Sequence, residues 1–216
     1  MSNKIQLDVV SDVMCPWCVV GYKNLEKAIQ ELGLEQKVGL TWQPFELNPD
    51  MPQEGENLRE HLMRKYQISA EQSQQNRLNI AERGKEVGFT FDFYDEMRMV
   101  NSRHLHVLLE YANEHGKQTD LKLRFFTAHF SEQKDLSDLN VVKAELEQVG
   151  LDAEKALERL SQASYIEQVE AQELQWQRLG ISSVPTVVIN RTSAVTGAQT
   201  VETYKQILLE ELEQES

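Results

Sequence analysis

Apolar and polar residues alternate at the start of the chain, where Ile5-Gln6-Leu7-Asp8-Val9-Val10 combines period-two patterning with β-branched side chains. This predicts a strand, ended by Ser11 and Asp12. Tyr22, Leu25, Ile29 and Leu32 then recur at spacings of three and four, the signature of one apolar helix face. Val38-Gly39-Leu40-Thr41-Trp42 predicts a second strand that stops before Pro44. The stretch from Pro44 to Pro52 holds three of the five prolines and reads as a connector leaving the sheet, since proline halts both a helix and a central strand.

From about Asn57 to about Gly180 the period becomes helical, with no clear strand over more than a hundred residues. Leu58, Leu62 and Tyr66 share a face, and Ser69 with Gln72 three residues on forms a capping-box pattern. Further helices are marked by Leu105, Leu108, Leu109 and Ala112; by Leu121, Phe125 and Ala128; and by Leu139, Val142, Leu146 and Val149 up to Gly150. Asp152 is placed to cap the next one. The last, Ser164 to Gly180, carries a less regular stripe of Ile166, Val169, Trp176 and Leu179. Strand character returns at Val184 to Ile189 and more weakly at Ala194 to Thr196, with Asn190 to Ser193 as a hairpin turn. A closing helix shows Val201, Tyr204, Leu208 and Leu212 on one face, with Ile207 beside them. The order is that of an α/β protein, a thioredoxin-like sheet interrupted by a large all-helical insertion. It divides the chain into residues 1–52 and 181–216, the two parts of the thioredoxin-like domain, and 53–180, the insertion.

The chemistry concentrates where the first strand runs into the first helix, Val13-Met14-Cys15-Pro16-Trp17-Cys18, which holds both cysteines of the chain. Cys15 falls near the helix N-terminus, where unpaired amides and the positive dipole end favour a thiolate. Pro16 suits the first turn, and Cys18 is one turn on, close enough to close a disulfide ring. Asp12 lies three residues before Cys15 and either raises its pKa by like-charge repulsion, or relays a proton, or is a strand-end or turn carboxylate without such a role. Pro16 and Trp17 add no charge, so a moderately rather than strongly oxidising pair is expected. Trp17 offers an apolar face to substrates, while Tyr22 and Trp42 are expected in the core.

Charge narrows the partners. The 22 Lys and Arg against 35 Asp and Glu give a net charge of −13, which argues against nucleic acid or an anionic membrane surface. No stretch approaches the roughly 20 apolar residues of a membrane span. Met1-Ser2-Asn3-Lys4 passes into the first strand without the basic segment and apolar run of a leader, so a cytoplasmic protein is expected. Thiols are kept reduced there, so a lone close pair reads as catalytic, redox-sensing or metal-binding rather than as a staple. No metal is expected, because His61, His104, His106, His115 and His129 are scattered and no second cysteine pair exists.

Four landmarks in order, Ser11-Asp12-Val13-Met14-Cys15-Pro16-Trp17-Cys18, Pro44-Phe45-Glu46-Leu47-Asn48-Pro49, Val184-Pro185-Thr186 and Gly197-Ala198-Gln199, carry a resemblance spanning nearly the whole chain. The sequence resembles the DsbA-like branch of the thioredoxin superfamily and, within it, the FrnE-like proteins, which share a fold with 2-hydroxychromene-2-carboxylate isomerases. The resemblance implies a thiol-disulfide oxidoreductase or isomerase acting on protein or small-thiol disulfides, with Cys15 attacking and Cys18 resolving. It also implies a cis Val184–Pro185 bond facing the cysteines, from which Val184 would pair with an extended substrate segment. No tightly bound cofactor is expected, glutathione is a candidate redox partner, and the chain would be a monomer or homodimer.

Where the family shows Asn, then Ser or Thr, then Ala-His, this chain reads Asn101-Ser102-Arg103-His104-Leu105-His106. His106 matches the family histidine, either as a modulator or as a satisfied core residue, and Leu105 replaces the alanine. The isomerases carry serine at the first cysteine position, so retention of Cys15 and Cys18 favours disulfide chemistry. A glutathione-dependent isomerase or transferase of a small aromatic substrate is the alternative, and an adaptor or chaperone built on the helical block is a third reading. Arg98 and Arg103 are either anchors for an anionic substrate such as glutathione or solvent-facing cations.

Overall fold

The computed structural model describes residues 4–214; Met1, Ser2 and Asn3, on which the reading of the N-terminus rests, lie outside the described residues. Its main sheet has four strands, β1 (Ile5–Ser11), β2 (Val38–Pro44), β5 (Thr186–Ile189) and β6 (Ser193–Thr196), in the order β2-β1-β5-β6. β1 runs parallel to β2, with Val9 opposite Trp42, and antiparallel to β5, with Val9 opposite Val187. Central position explains its composition: Ile5, Leu7, Val9 and Val10 are all buried, as a strand covered on both faces requires. The β5–β6 hairpin turns through Asn190 and Arg191 at φ of 49° and 58°, and the Asn190 side chain accepts the Gln6 amide at 2.8 Å.

α1 (Pro16–Glu31) and α9 (Val201–Gln214) pack together. Between β2 and β5 lie α2 (Leu58–Tyr66), α3 (Ala70–Glu86), α4 (Arg103–Glu114), α5 (Gln118–Phe130), α6 (Leu139–Gln148), α7 (Ala153–Glu158) and α8 (Ala163–Arg178). Local chemistry sets their ends: Ser69 and Gln72 form the reciprocal capping box of α3, and the Asp152 carboxylate accepts the Lys155 amide at 3.2 Å to open α7. α4, α5 and α8 pack against β2, so the insertion is seated on the edge of the sheet. Trp42 ties the two together, its indole donating to Thr119 Oγ1 at 3.0 Å, with Tyr22 packed on its ring. The fold is the expected thioredoxin-like sheet with a helical insertion. Among the described residues no helix is long and apolar enough to cross a membrane.

The structure corrects two sequence expectations and adds a core residue. A two-stranded ladder, β3 (Glu56–Asn57) with β4 (Arg98–Met99), lies inside the stretch read as purely helical; two residues are too few for alternation to register. Tyr66, Leu139 and Leu179, assigned to apolar faces, are exposed, because each sits at or near a helix end where the packed face has run out. Phe91, which joined no predicted element, is buried and stacks on Phe93 beside Phe130.

Candidate active site

At the end of β1 the buried Asp12 carboxylate accepts two amides, Met14 at 3.1 Å and Leu47 at 2.7 Å. One bond folds the turn into α1 and the other pins the segment after β2, so a single side chain joins both. Cys15 is the N-cap of α1, extended at φ −101° and ψ 108°, and Pro16 follows where its missing amide costs nothing. The Cys18 amide donates to the Cys15 carbonyl at 3.1 Å, which places the second sulfur one turn below the first. Across from them the Val184–Pro185 bond is cis, and the Cys15 thiol donates to the Val184 carbonyl at 3.9 Å. Gly21 permits this approach: a Cβ there would stand 3.1 Å from Pro185 Cγ and 3.3 Å from Ala198 Cα.

A cavity of about 470 Å³ opens over Cys15. Met14, Pro16, Trp17 and Val184 line it on the sheet side, and Lys65, Tyr66, Ser73 and Arg77 of α2 and α3 on the other. Cys18 is not part of the lining, and both thiols are free and buried. Trp17 is 40% exposed at the rim, which fits an apolar contact surface rather than a core residue.

The two sulfurs titrate as a unit. The hydrogen bond with Cys18, then burial, then the Cys18 charge hold the Cys15 thiol well above its ordinary value, and the Cys18 amide offsets only part of this. Burial also opposes charge on Cys18, but its hydrogen bond with Cys15, the Ser11 hydroxyl and the Lys122 ammonium outweigh burial and bring that thiol down. These surroundings favour the proton on Cys15 over Cys18. The helix N-terminus acts on Cys15, whereas Ser11 and Lys122 act on Cys18.

Asp12 is held below its ordinary range. Burial pushes it up, but the His106 ring 3.8 Å away and the Leu47 and Met14 amides prevail. His106 itself is buried, with Nε2 3.1 Å from the Phe45 carbonyl as well as 3.8 Å from the Asp12 carboxylate. Arg98 and Arg103 are neither substrate anchors at this cavity nor free surface cations. Arg98 donates to the Gly55 carbonyl at 2.9 Å, and Arg103 pairs with Glu46 at 2.7 Å and Glu170 at 3.1 Å.

The cations that do line the cavity escaped the sequence reading. Lys65 bonds the Leu47 carbonyl at 2.8 Å and Asn48 Oδ1 at 2.6 Å. Arg77 forms no ion pair among the described residues, and its buried Nε, like the Oγ of fully buried Ser73 one turn away, has no partner. Lys122 was missed as well. Its one cue was a charge amid the apolar face of Leu121, Phe125 and Ala128, which is ordinary at a helix-face boundary.

The whole architecture recurs in known proteins. The chain is 29% identical to the probable DsbA oxidoreductase SCO1869 from Streptomyces coelicolor, covering 95% of this chain and 89% of that one at a TM-score of 0.90. The uncharacterized protein YwbO of Bacillus subtilis (strain 168) is 25% identical, over 96% of this chain and 97% of its own length. The cytosolic disulfide reductase DsbM from Pseudomonas aeruginosa shares the fold at a TM-score of 0.69 and 16% identity, over 97% and 99% of the two chains. A family model spans residues 6–209, and the chain accordingly belongs to the family of the DSBA-like thioredoxin domain.

Proposed function

We propose that this protein is a thiol-disulfide oxidoreductase, exchanging electrons with protein or small-thiol disulfides through Cys15 and Cys18. The observation that carries the reading is the unequal placement of the sulfurs: Cys15 lines the cavity and faces the Val184 carbonyl at 3.9 Å, whereas Cys18 sits behind it. Cys15 attacks one sulfur of a substrate disulfide as its proton passes to Cys18 along their hydrogen bond. A mixed disulfide forms and one substrate thiolate leaves. Cys18, deprotonated again, attacks Cys15, the second substrate sulfur leaves, and the pair has given up two electrons as a disulfide. The reverse sequence oxidises a substrate dithiol, and the potential of the pair against the surrounding thiol pool sets the direction.

Trp17 at the rim and the Val184 backbone would receive an extended peptide around the substrate cysteine. Lys65 and Arg77 in the cavity favour an anionic small thiol, and glutathione, with two carboxylates, is the proposed redox partner. The proposed compartment is the cytoplasm, where such a pair is kept available as a dithiol.

The test is Cys18→Ser. The variant should stop turnover and accumulate mixed disulfides through Cys15 that are detectable by mass spectrometry in cell extract. A Cys18→Ser protein with full activity on a small aromatic glutathione conjugate would replace this reading with a glutathione-dependent isomerase.

A further inference from the structure

Lys122 is one of the largest side chains buried without residue in the molecule, and it comes from α5 of the insertion rather than from the sheet domain. A buried ammonium is normally matched by a carboxylate. Lys122 makes no ion pair among the described residues; its one hydrogen bond runs to the Ser11 carbonyl at 3.4 Å. The rings of Trp42 and Phe126 lie 5.3 and 5.2 Å from its nitrogen and supply only a partial counter-charge. The acidic groups near enough to act on its charge are Cys18 first, then Asp12, then Cys15. Asp12 is already engaged by two amides and His106.

We propose, resting on the thiol-disulfide reading, that Lys122 is the positioning residue that keeps Cys18 available as a thiolate for the resolving attack. The step requires it. After Cys15 has formed the mixed disulfide, Cys18 holds the proton it received and lies behind the cavity lining. It must release that proton to the leaving substrate sulfur or to solvent, then attack Cys15 so that the Cys15–Cys18 bond forms and the bond from Cys15 to substrate breaks. The ammonium behind Cys18 favours the charged sulfur at that moment.

Burial brings the Lys122 ammonium down to about 8, so it still carries its charge at neutral pH. Lys65 and Arg77 stand on the cavity side, over Cys15, and the titratable groups on the Cys18 side do not supply that charge. Tyr204 of α9, facing Cys18, is pushed up to about 12 by burial and stays neutral, and His129, further along α5, is pushed down to about 4 and is also neutral. His106 of α4 stands beyond Asp12. The arrangement makes the insertion part of the redox chemistry as well as a wall of the cavity.

The experiment uses the full chain. In Cys15→Ser protein the thiolate absorbance of Cys18 is titrated with and without Lys122→Met, and the midpoint should move up by about one pH unit, a tenfold loss of thiolate below it. In protein with both cysteines, dithiobis-nitrobenzoate releases one coloured thiolate on attack by Cys15 and a second on resolution by Cys18. Lys122→Met should slow the second release about tenfold at pH 7 and shift its pH profile upward. Lys122→Arg should restore both, which a purely structural lysine would not predict. If Lys122→Met does not fold, Lys122→Gln is read in the same way. An unmoved midpoint with an unchanged second release overturns the role of Lys122 alone. Wild-type protein that gives no second release overturns the thiol-disulfide reading and this proposal with it.

Discussion

The Cys15 sulfur and the Val184 carbonyl oxygen, 169 positions apart in the chain, meet at 3.9 Å. The contact exists because β1 and β5 are neighbours in the sheet and Gly21 lets α1 approach Pro185. It brings the Cys15 sulfur and the Val184 backbone to one cavity wall, where the proposed function seats an extended substrate segment.

Asp12 should matter for stability as well as for the site. Asp12→Ala leaves the buried Met14 and Leu47 amides without acceptors and should cost roughly 2 to 4 kcal/mol in denaturant unfolding. Its folded pKa lies below the ordinary 3.8, so its contribution is complete above that value and disappears as pH falls through the lower folded one. The stability gap between wild type and Asp12→Asn should therefore narrow below about pH 4.

His129 is packed against Phe130 and held neutral, burial having pushed it from 6.5 to about 4. Between these values the unfolded chain binds a proton that the folded one refuses. Stability is thus full above pH 6.5 and falls on acidification, by about 3 kcal/mol near pH 4. His129→Phe should flatten that limb of the stability-pH curve measured by urea unfolding.

Glu173 works in the opposite sense. Burial, the neighbouring Glu46 and Asp12 raise it to about 8, against the opposing pull of Arg103. A raised carboxyl stabilises fully below its unfolded value near 4.5, and that contribution is lost as pH rises through 8. Glu173→Gln should consequently stabilise the protein at pH 9, on the order of 2 kcal/mol, with little gain at pH 5.

Arg77 should select among small disulfides. Arg77→Gln is expected to raise KM for glutathione disulfide about tenfold, roughly 1.4 kcal/mol, while KM for the uncharged bis-hydroxyethyl disulfide stays within about twofold. Equal losses on both substrates would remove the carboxylate contact from the proposed site.

Much of this protein was legible along the chain because its information is local. Alternation marked β1, period-three-and-four faces marked α1, α4 and α5, the capping residues Ser69 and Asp152 marked helix starts, and the spacing of Cys15 and Cys18 at a strand-helix junction marked the candidate site. Those signals depend on backbone geometry over a few residues, so neighbouring positions suffice to read them. What decided the electrostatics was long-range. Lys122 stands 104 to 107 positions from the cysteines, and the Arg77 and Ser73 wall of the cavity reaches them only because the insertion folds back over α1. Arg103 reads in sequence as a cation available to a ligand, and only packing against Glu46 and Glu170 makes it structural. A side chain's charge is written in the sequence; its counter-charge, its burial and therefore its chemistry are set by which distant segments pack around it.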